Sequence, residues 1–582
     1  MFLNDTSIRG SWQAFERIVC RYLSHAGFAG TRLVGQKGDK GADIITHKAG
    51  RRWLVQAKRW KNKIGCDVVD ETLRALKYYR AEIPVIVALN GFQNEVLRQQ
   101  QQLMAQGIPL QLWSGYDLVK KASKLSDDYP QGDPSVFLEK RAYQEEAIEQ
   151  LLNCFYGADI NRALVVMATG LGKTHVACEF IRRIEKTRPL RVLILAHTNT
   201  LVYQLEKSFW KYLKSSNETL VWNGYEPQTS DDIDRSHYVF ACLNTVASFL
   251  EKGNELSLFD IVLVDECHHV GDNGMYSNIL KKMSAGNPGG PFLVGVTATP
   301  WRPDESDLRN FFGDPVICVD LITGLKNGFL TNVDYRMYTD NIDWKSLYNL
   351  KGKHFSPKKI NKTLFITNWD DAVVLELQKA WAEQQNPRAI VFCGTIDHAL
   401  TMRDRINALS FCRAEAVYSK TKSGVSQDPA ERNRILCDFH DGAIQVVCAV
   451  DIFNEGVDVP DVNIVVFQRV THSRRIFIQQ LGRGLRLSED KDKVLVLDFV
   501  SDIRRFAAGI DLKDSLADDA PGAGKTLRIK LPHKVSFCRV GGEDPKTESF
   551  LRQWINDVAA IENADEDAAV LKFPPQIDGA KE

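Results

Sequence analysis

The sequence has no long uncharged apolar run. Every hydrophobic stretch in its 582 residues is too short to cross a bilayer as a helix, so no membrane span is expected. The first residues, Met1-Phe-Leu-Asn-Asp-Thr6, lack the basic start and apolar core of a secretory leader. Twelve cysteines are scattered with no C-x-x-C pair, which argues against structural zinc or a clustered iron–sulfur site. Reduced thiols in a cytoplasm fit that scatter. There is no excess charge either: 74 Lys plus Arg balance 74 Asp plus Glu, so any polyanion would have to be met by a local basic surface. Tandem repeats and low-complexity tracts are absent too, which excludes solenoids and leaves a chain of several globular domains.

What is present centres on Ala163-Leu-Val-Val-Met-Ala-Thr-Gly-Leu-Gly-Lys-Thr-His175. The apolar run Ala163–Met167 reads as a buried strand. It breaks into Thr169, Gly170, Leu171 and Gly172, and Lys173-Thr174 opens an amphipathic helix predicted over 175–184. Strand, glycine turn and helix start form a phosphate cradle: backbone N–H groups converge on the phosphates, Lys173 reaches the β/γ-phosphates and the Thr174 hydroxyl holds Mg²⁺. Met167 or Ala168 stands where the general pattern has its first glycine. A similar glycine-lysine stretch, Pro521-Gly-Ala-Gly-Lys-Thr526, follows an acidic segment instead of an apolar strand and reads as a loop without nucleotide.

Before this cradle, helical periodicity over 12–28 puts Phe15, Ile18, Val19, Tyr22 and Leu23 on one face, with Glu16 beside it. Extended runs follow at 31–35, 42–47 and 53–58, the last two joined by Lys48-Ala-Gly-Arg51 as a hairpin. A helix (68–79), a strand (85–89), a helix (94–106) and a strand (110–113) complete an α/β unit. Adjacent hairpin strands can bring Asp43, Gln56 and Lys58 together. Carboxylate and carbonyl oxygens suit Mg²⁺. Lys58 could position water or stabilise phosphate charge. The basic run Lys58-Arg-Trp-Lys-Asn-Lys63 reads equally as a solvated face or a nucleic-acid contact.

Phe-Glu16-Arg-Ile-Val, the Gly-x-Asp ending at Asp43, and Gln56-x-Lys58 together resemble the Mrr-type branch of the PD-(D/E)xK restriction-endonuclease fold. The resemblance covers about 11–115. It implies metal-dependent DNA cleavage with Asp43, Gln56 and Glu16 at the metal and Lys58 as a catalytic partner. The match is poor around Gly91-Phe-Gln-Asn-Glu95.

Downstream, polar motifs fall just after apolar strands, where ligands of a mainly parallel sheet sit. They are His197-Thr-Asn-Thr200, Ala241–Thr245, Asp265-Glu-Cys-His-His269 after the strand 261–264, and Thr297-Ala-Thr-Pro300. Asp265 can hold Mg²⁺ and Glu266 can deprotonate the water that attacks the γ-phosphate. A second α/β unit has strands predicted at 389–392, 414–418, 444–450, 462–467 and 494–497, and no phosphate loop. Its Gln479-Gln-Leu-Gly-Arg-Gly-Leu-Arg486 places Arg483 and Arg486 one turn apart, suited to reach a γ-phosphate.

In order, these motifs resemble a superfamily-two DExH helicase of the restriction and phage-defence type, over about 137–502. The resemblance implies that Thr169, Gly170, Gly172, Lys173, Thr174 and Asp265 bind ATP and Mg²⁺. Gln144, in Arg141-x-Tyr-Gln, would contact adenine, and Glu266, Arg483 and Arg486 would act in hydrolysis. Just ahead of the segment Asn454–Pro460, Ala449-Val450-Asp451 stands where relatives often have a Thr before the Asp, which touches one nucleic-acid contact.

The expected architecture is α/β: an endonuclease-like domain (1–121), a linker (122–136), a first RecA-like domain (137–318), a connecting region (319–388), a second RecA-like domain (389–510) and a C-terminal extension (511–582). The expected activity is a DNA helicase or translocase fused to a Mg²⁺-dependent endonuclease, acting in restriction of foreign DNA. ATP and Mg²⁺ are the expected cofactors, and the partners are single- or double-stranded DNA and candidate defence subunits. The rivals are a motor whose first domain only grips DNA and a nucleotide-dependent sensor that recruits a separate nuclease.

Overall fold

The computed structural model describes residues 11–35, 40–125, 141–157, 161–214, 216–256, 258–271, 274–298, 307–338, 354–355, 370–418, 427–450, 462–468, 493–499, 534–539, 542–543 and 571–572. Two compact units divide the chain. One comprises Met1–Met167, Gly172–Cys318 and Asp428–Arg434; the other takes in Ala168–Leu171, Val319–Gln427 and Ile435–Glu582.

The first unit begins with helix α1 (Trp12–His25), whose Ser11 hydroxyl caps it by accepting from the Ala14 N–H at 3.0 Å. Strands β1 (Ala29–Leu33), β2 (Ile44–Lys48), β3 (Arg51–Lys58), β4 (Ile83–Ala88) and β5 (Gln111–Ser114) form a five-stranded sheet in chain order. The hairpin β2–β3 is antiparallel, with Ile44 opposite Val55. β3, β4 and β5 run parallel because α2 (Cys66–Tyr78) and α3 (Asn94–Ala105) supply the crossovers. All six residues of β4 are buried, as expected of a parallel strand covered on both faces. Phe15, Val19 and Leu23 of α1 pack on one face with Val55, Val85 and Trp113, and Val68 and Val96 cover the other with Ile86 and Ala88. Helix α4 (Gly115–Ala122) starts from a reciprocal cap between Ser114 and Asp117.

Next come α5 (Ala142–Tyr156) and a seven-stranded sheet. Its strands are β6 (Arg162–Met167), β7 (Val192–Ala196), β8 (Thr219–Trp222), β9 (Tyr238–Cys242), β10 (Ile261–Asp265), β11 (Phe292–Thr297) and β12 (Pro315–Val319), in the order β12-β6-β11-β10-β7-β9-β8. The pairings from β6 through β8 are parallel. Helix α6 (Lys173–Glu185) follows β6, and α7 (Asn199–Phe209) follows β7. The loops after β6, β10 and β11 therefore leave one edge of the sheet side by side, with β11 between the other two.

The second unit holds an eight-stranded sheet. It contains β13 (Asn332–Tyr338), β15 (Ala389–Phe392), β16 (Ala414–Tyr418), β17 (Val446–Val450), β18 (Ile464–Phe467), β19 (Lys493–Phe499), β20 (Lys534–Arg539) and β21 (Gly542–Glu543), in the order β16-β17-β15-β18-β19-β13-β20-β21. A short antiparallel pair joins β14 (His354–Phe355) to β22 (Leu571–Lys572). The eight-stranded sheet draws strands from outside the span 389–510 expected for the second sheet domain. β13, from the expected connecting region, pairs with β19 over seven residues, and β20, from the expected extension, pairs with β13. The alternation in Asn-Val-Asp-Tyr-Arg-Met-Tyr338 is a half-buried pattern that sequence distance separated from its partner strand. Among the described residues, no helix is long and apolar enough to cross a membrane, and the eleven cysteines whose side chains are described are free thiols.

Candidate active sites

The first site lies at the carboxyl end of β3. Asp43, 2% exposed, stands just before β2, and its Oδ2 accepts the Ala57 N–H at 2.6 Å. Glu16, on α1 and 7% exposed, comes from a different element. Gly35 shows that the two meet. A Cβ added there would lie 2.8 Å from Glu16 Oε2 and 3.2 Å from Asp43 Oδ1, so the two oxygens line the space that the missing side chain leaves. Gln56 is fully buried. Its Nε2 donates to Glu71 Oε2 at 2.8 Å, and its Oε1 accepts from the Thr72 hydroxyl, both on α2. Lys58 ends β3, half-buried. The fold thus joins Glu16 to Asp43 and fixes Asp43 to the β3 backbone between Gln56 and Lys58, while Gln56 is engaged by α2. Glu71 and Thr72 escaped sequence reading because nothing in a helical Asp-Glu-Thr-Leu marks which residue faces a strand 15 positions away.

Hard oxygens of two carboxylates around a glycine-sized hollow fit a divalent cation. Among the described residues, no group of three or more His, Cys, Asp or Glu is arranged to hold a metal; the oxygens that line the space at Gly35 are those of two carboxylates.

The second site follows β6. Gly170 and Gly172 both have φ of +91°, a region that L side chains resist, and Gly172 caps α6 so that Lys173 and Thr174 form its first turn. A Cβ at Gly172 would stand 2.5 Å from Gln144 Nε2, so the buried Gln144 of α5 lies against the turn. Thr169 and Thr174 are half-buried beside it. Lys173 Nζ is 3.7 Å from Glu266 Oε1, which joins the turn after β6 to the one after β10. Glu266 itself is left-handed (φ +47°), an unusual conformation for a non-glycine residue and one that occurs where a site demands it. Burial and the adjacent Glu266 charge push the Asp265 carboxyl up to about 7, against the opposing pull of Lys173. His268, 4% exposed, lies with Nδ1 2.9 Å from Thr297 Oγ1 and 3.2 Å from Glu266 Oε2, linking the turn after β10 to the end of β11. That bridge was not legible in sequence, since β11 begins 23 residues beyond His269 and only sheet order makes it the neighbour. Arg483, Arg486, the 454–460 segment, Thr299-Pro300 and the glycine-lysine stretch at 521–526 lie outside the described residues.

Helix α1 also contacts the domain of the seven-stranded sheet. On the residue after Glu16, the fully buried Arg17 Nε donates to Glu206 Oε2 of α7 at 2.8 Å, and its Nη1 donates to Glu226. Glu226 also accepts from Tyr203 (3.1 Å) and Ser11 (3.0 Å). One turn on, Arg21 donates to the Lys214 carbonyl at 3.0 Å and to Thr219 Oγ1 at 3.3 Å. Burial alone would pull the Arg17 guanidinium down, but the Glu206 and Glu226 charges more than offset this and hold it above the ordinary arginine value.

Comparison with known proteins places three domain families along the chain. Residues 9–121 match a restriction-endonuclease model of the Mrr catalytic type. Residues 137–302 match the res subunit of type III restriction enzymes, and 371–488 the helicase conserved C-terminal domain. The chain thus carries, in order, a segment matching a restriction endonuclease, one matching a restriction-enzyme res subunit and one matching a helicase C-terminal domain. More particularly, it is similar to a type I restriction enzyme EcoAI endonuclease subunit of Escherichia coli, 26% identical over 519 residues, 82% of this chain and 62% of that protein. It is also similar to a putative mitochondrial ATP-dependent helicase of Schizosaccharomyces pombe, 28% identical over 402 residues, 66% of this chain and 61% of that protein. The chain therefore spans about three-fifths of the length of these relatives. Its fold is that of the ATP-dependent type ISP restriction-modification enzyme LlaBIII, solved bound to DNA, with a TM-score of 0.50 at 16% identity, covering 93% of this chain and 41% of that one.

Proposed function

We propose that the chain is an ATP-driven DNA translocase carrying its own Mg²⁺-dependent endonuclease domain, and that it restricts foreign DNA in the cytoplasm. The observation that carries this reading is the pair of sites just described. One is a glycine turn and acidic loop joined through Lys173 and Glu266; the other is Glu16 and Asp43 meeting at Gly35.

At the first of these, the backbone N–H groups of the turn and the amino end of α6 take the nucleotide phosphates, and Lys173 neutralises the β/γ oxygens. Thr174 and Asp265 would hold Mg²⁺, which supplies charge neutralisation on the phosphates. Glu266 accepts the proton of the attacking water. His268 Nδ1 lies against both Glu266 Oε2 and Thr297 Oγ1, which sets the turn after β10 beside the end of β11. Arg483 and Arg486 are the proposed γ-phosphate contacts. At the nuclease site, Glu16, Asp43 and the Gln56 carbonyl would hold Mg²⁺, which lowers the pKa of a bound water. Lys58 stabilises charge developing on the scissile phosphate. The relative named as an endonuclease subunit supports further partner subunits in the working assembly.

A second reading, in which the first domain grips DNA without cutting it, is favoured by one observation: both ends of the Gln56 amide are held by Glu71 and Thr72. The deciding experiment is cleavage of end-labelled single- and double-stranded DNA with Mg²⁺, with and without ATP, beside Lys58→Ala and Lys173→Ala. Wild-type cutting that Lys58→Ala loses, and that Lys173→Ala reduces, supports the fusion enzyme. DNA-stimulated ATP hydrolysis without any wild-type cutting selects the gripping domain.

A further inference from the structure

The basic run that follows the nuclease strand has no part in the chemistry above. From Lys58 to Cys66 the chain carries four cations, Lys58, Arg59, Lys61 and Lys63, and no acid. In their midst Trp60 is 46% exposed, and Lys61, Asn62 and Lys63 are exposed beside it. Among the described residues, neither Lys61 nor Lys63 has an ion-pair partner.

A solvated face would explain the lysines, but neither the tryptophan nor the way the loop is held. Its start is pinned where the Leu89 N–H donates to the Lys58 carbonyl at 3.0 Å, and its crown where Asn90 Nδ2 donates to the Trp60 carbonyl at 2.7 Å. Its end is pinned at the buried Ile64, which bridges to Phe92, takes Gly91 as its carbonyl partner at 3.0 Å and accepts from the Gln93 N–H at 3.0 Å. The segment 91–95, where the family pattern was weakest, is thus the base of this loop. Holding like charges together in a fixed loop raises their repulsion, and a polyanion relieves it. Because the backbone is already ordered, little further conformational entropy is lost on binding.

We propose that Arg59–Lys63 is a docking loop for single-stranded DNA, resting on the DNA-directed reading above. Trp60 stacks on an unpaired base while Arg59, Lys61 and Lys63 take the flanking phosphates. The loop starts one residue beyond Lys58, so a strand held there is presented to the nuclease site. An unpaired strand is the occupant because a paired base in a duplex already has both faces stacked on its neighbours, whereas an exposed indole needs an available face.

The test is photo-cross-linking of the full chain, in EDTA and without ATP, to a 5-iododeoxyuridine-substituted single strand and to its blunt duplex, with peptide mapping and affinity titration. The single strand is expected to cross-link to the Trp60 peptide and the duplex not to. Trp60→Ala should abolish that cross-link and weaken single-strand binding by about tenfold, the effect of losing one stacked base, while Trp60→Phe retains most of it. Met104→Ala, which removes another exposed apolar side chain (57% exposed), should change nothing. The proposal is overturned if the Trp60 peptide is never labelled, if duplex labels it as well as single strand, or if Trp60→Ala binds like Met104→Ala. No cleavage occurs in EDTA, so a chain that never cuts DNA but still cross-links at Trp60 defeats the nuclease reading and leaves this one standing.

Discussion

Truncating Arg17 removes a cation that two buried carboxylates share. The side chains of Glu206 and Glu226 are 5% and 1% exposed, so in Arg17→Ala both negative charges stay out of water without the guanidinium. Breaking a buried pair in this way costs about 3–5 kcal/mol. Hydroxyl donors remain, Ser11 and Tyr203 on Glu226 and Thr219 on Glu206, which puts the expectation at the lower end, about 3 kcal/mol. Thermal unfolding should then show the transition containing α1 fall by roughly 5–10 °C. The triple change Arg17→Met, Glu206→Gln, Glu226→Gln removes these three charges together and should recover part of the loss, because the penalty is the stranded charge more than the missing contact; the remainder falls on the buried Arg21, which the Glu206 charge also supports. Since α1 carries Glu16 to Asp43, Arg17→Ala should also lower cleavage more than the triple variant does. A melting curve for Arg17→Ala within about 1 kcal/mol of wild type would refute the reasoning.

Two further outcomes follow from the sites. Burial and the neighbouring Glu266 charge raise the Asp265 carboxyl to about 7 from an ordinary 3.8, so the nucleotide-free fold holds its proton more tightly than the unfolded chain. The stability from this group is present below the ordinary value and is lost as pH rises toward 7. Asp265→Asn, measured without metal or nucleotide, should therefore melt like wild type near pH 3.5 and above it at pH 8, the gap opening by at most about 1.4 kcal/mol per pH unit between those two values. An unchanging gap across that window would contradict the burial argument. Gly35→Ala would drive a methyl against Glu16 Oε2 and Asp43 Oδ1; cleavage should drop about tenfold or more while ATP hydrolysis is retained, and full cleavage would show that the two carboxylates do not act together.

Much of this molecule was legible in its sequence because its chemistry is local. The turn Thr169–Thr174 needs glycines at the two positions whose φ is +91°, a cation to follow and an apolar strand before it, and those requirements are written in adjacent residues. The acidic pair Asp265–Glu266 at the end of β10 follows the same logic, as do the Mrr-type residues along the β2–β3 hairpin, where pairing partners lie about ten residues apart. The tertiary structure alone decided what long-range packing controls. It set Glu16 of α1 against Asp43 across Gly35, and Glu71 and Thr72 of α2 against Gln56. It brought Thr297 to His268 through the order of parallel strands, and it drew β13 and β20 into a sheet whose other strands lie elsewhere in the chain. It also made α1 a member of two domains. Arg17 and Arg21 lie outside the apolar face that the sequence periodicity marks on this helix. Only when Glu206 and Glu226, some two hundred residues on, pack against Arg17 does it become a buried tie between the five-stranded and seven-stranded sheet domains. Periodicity records which face of a helix is apolar; which charges become buried depends on what the rest of the chain packs against them.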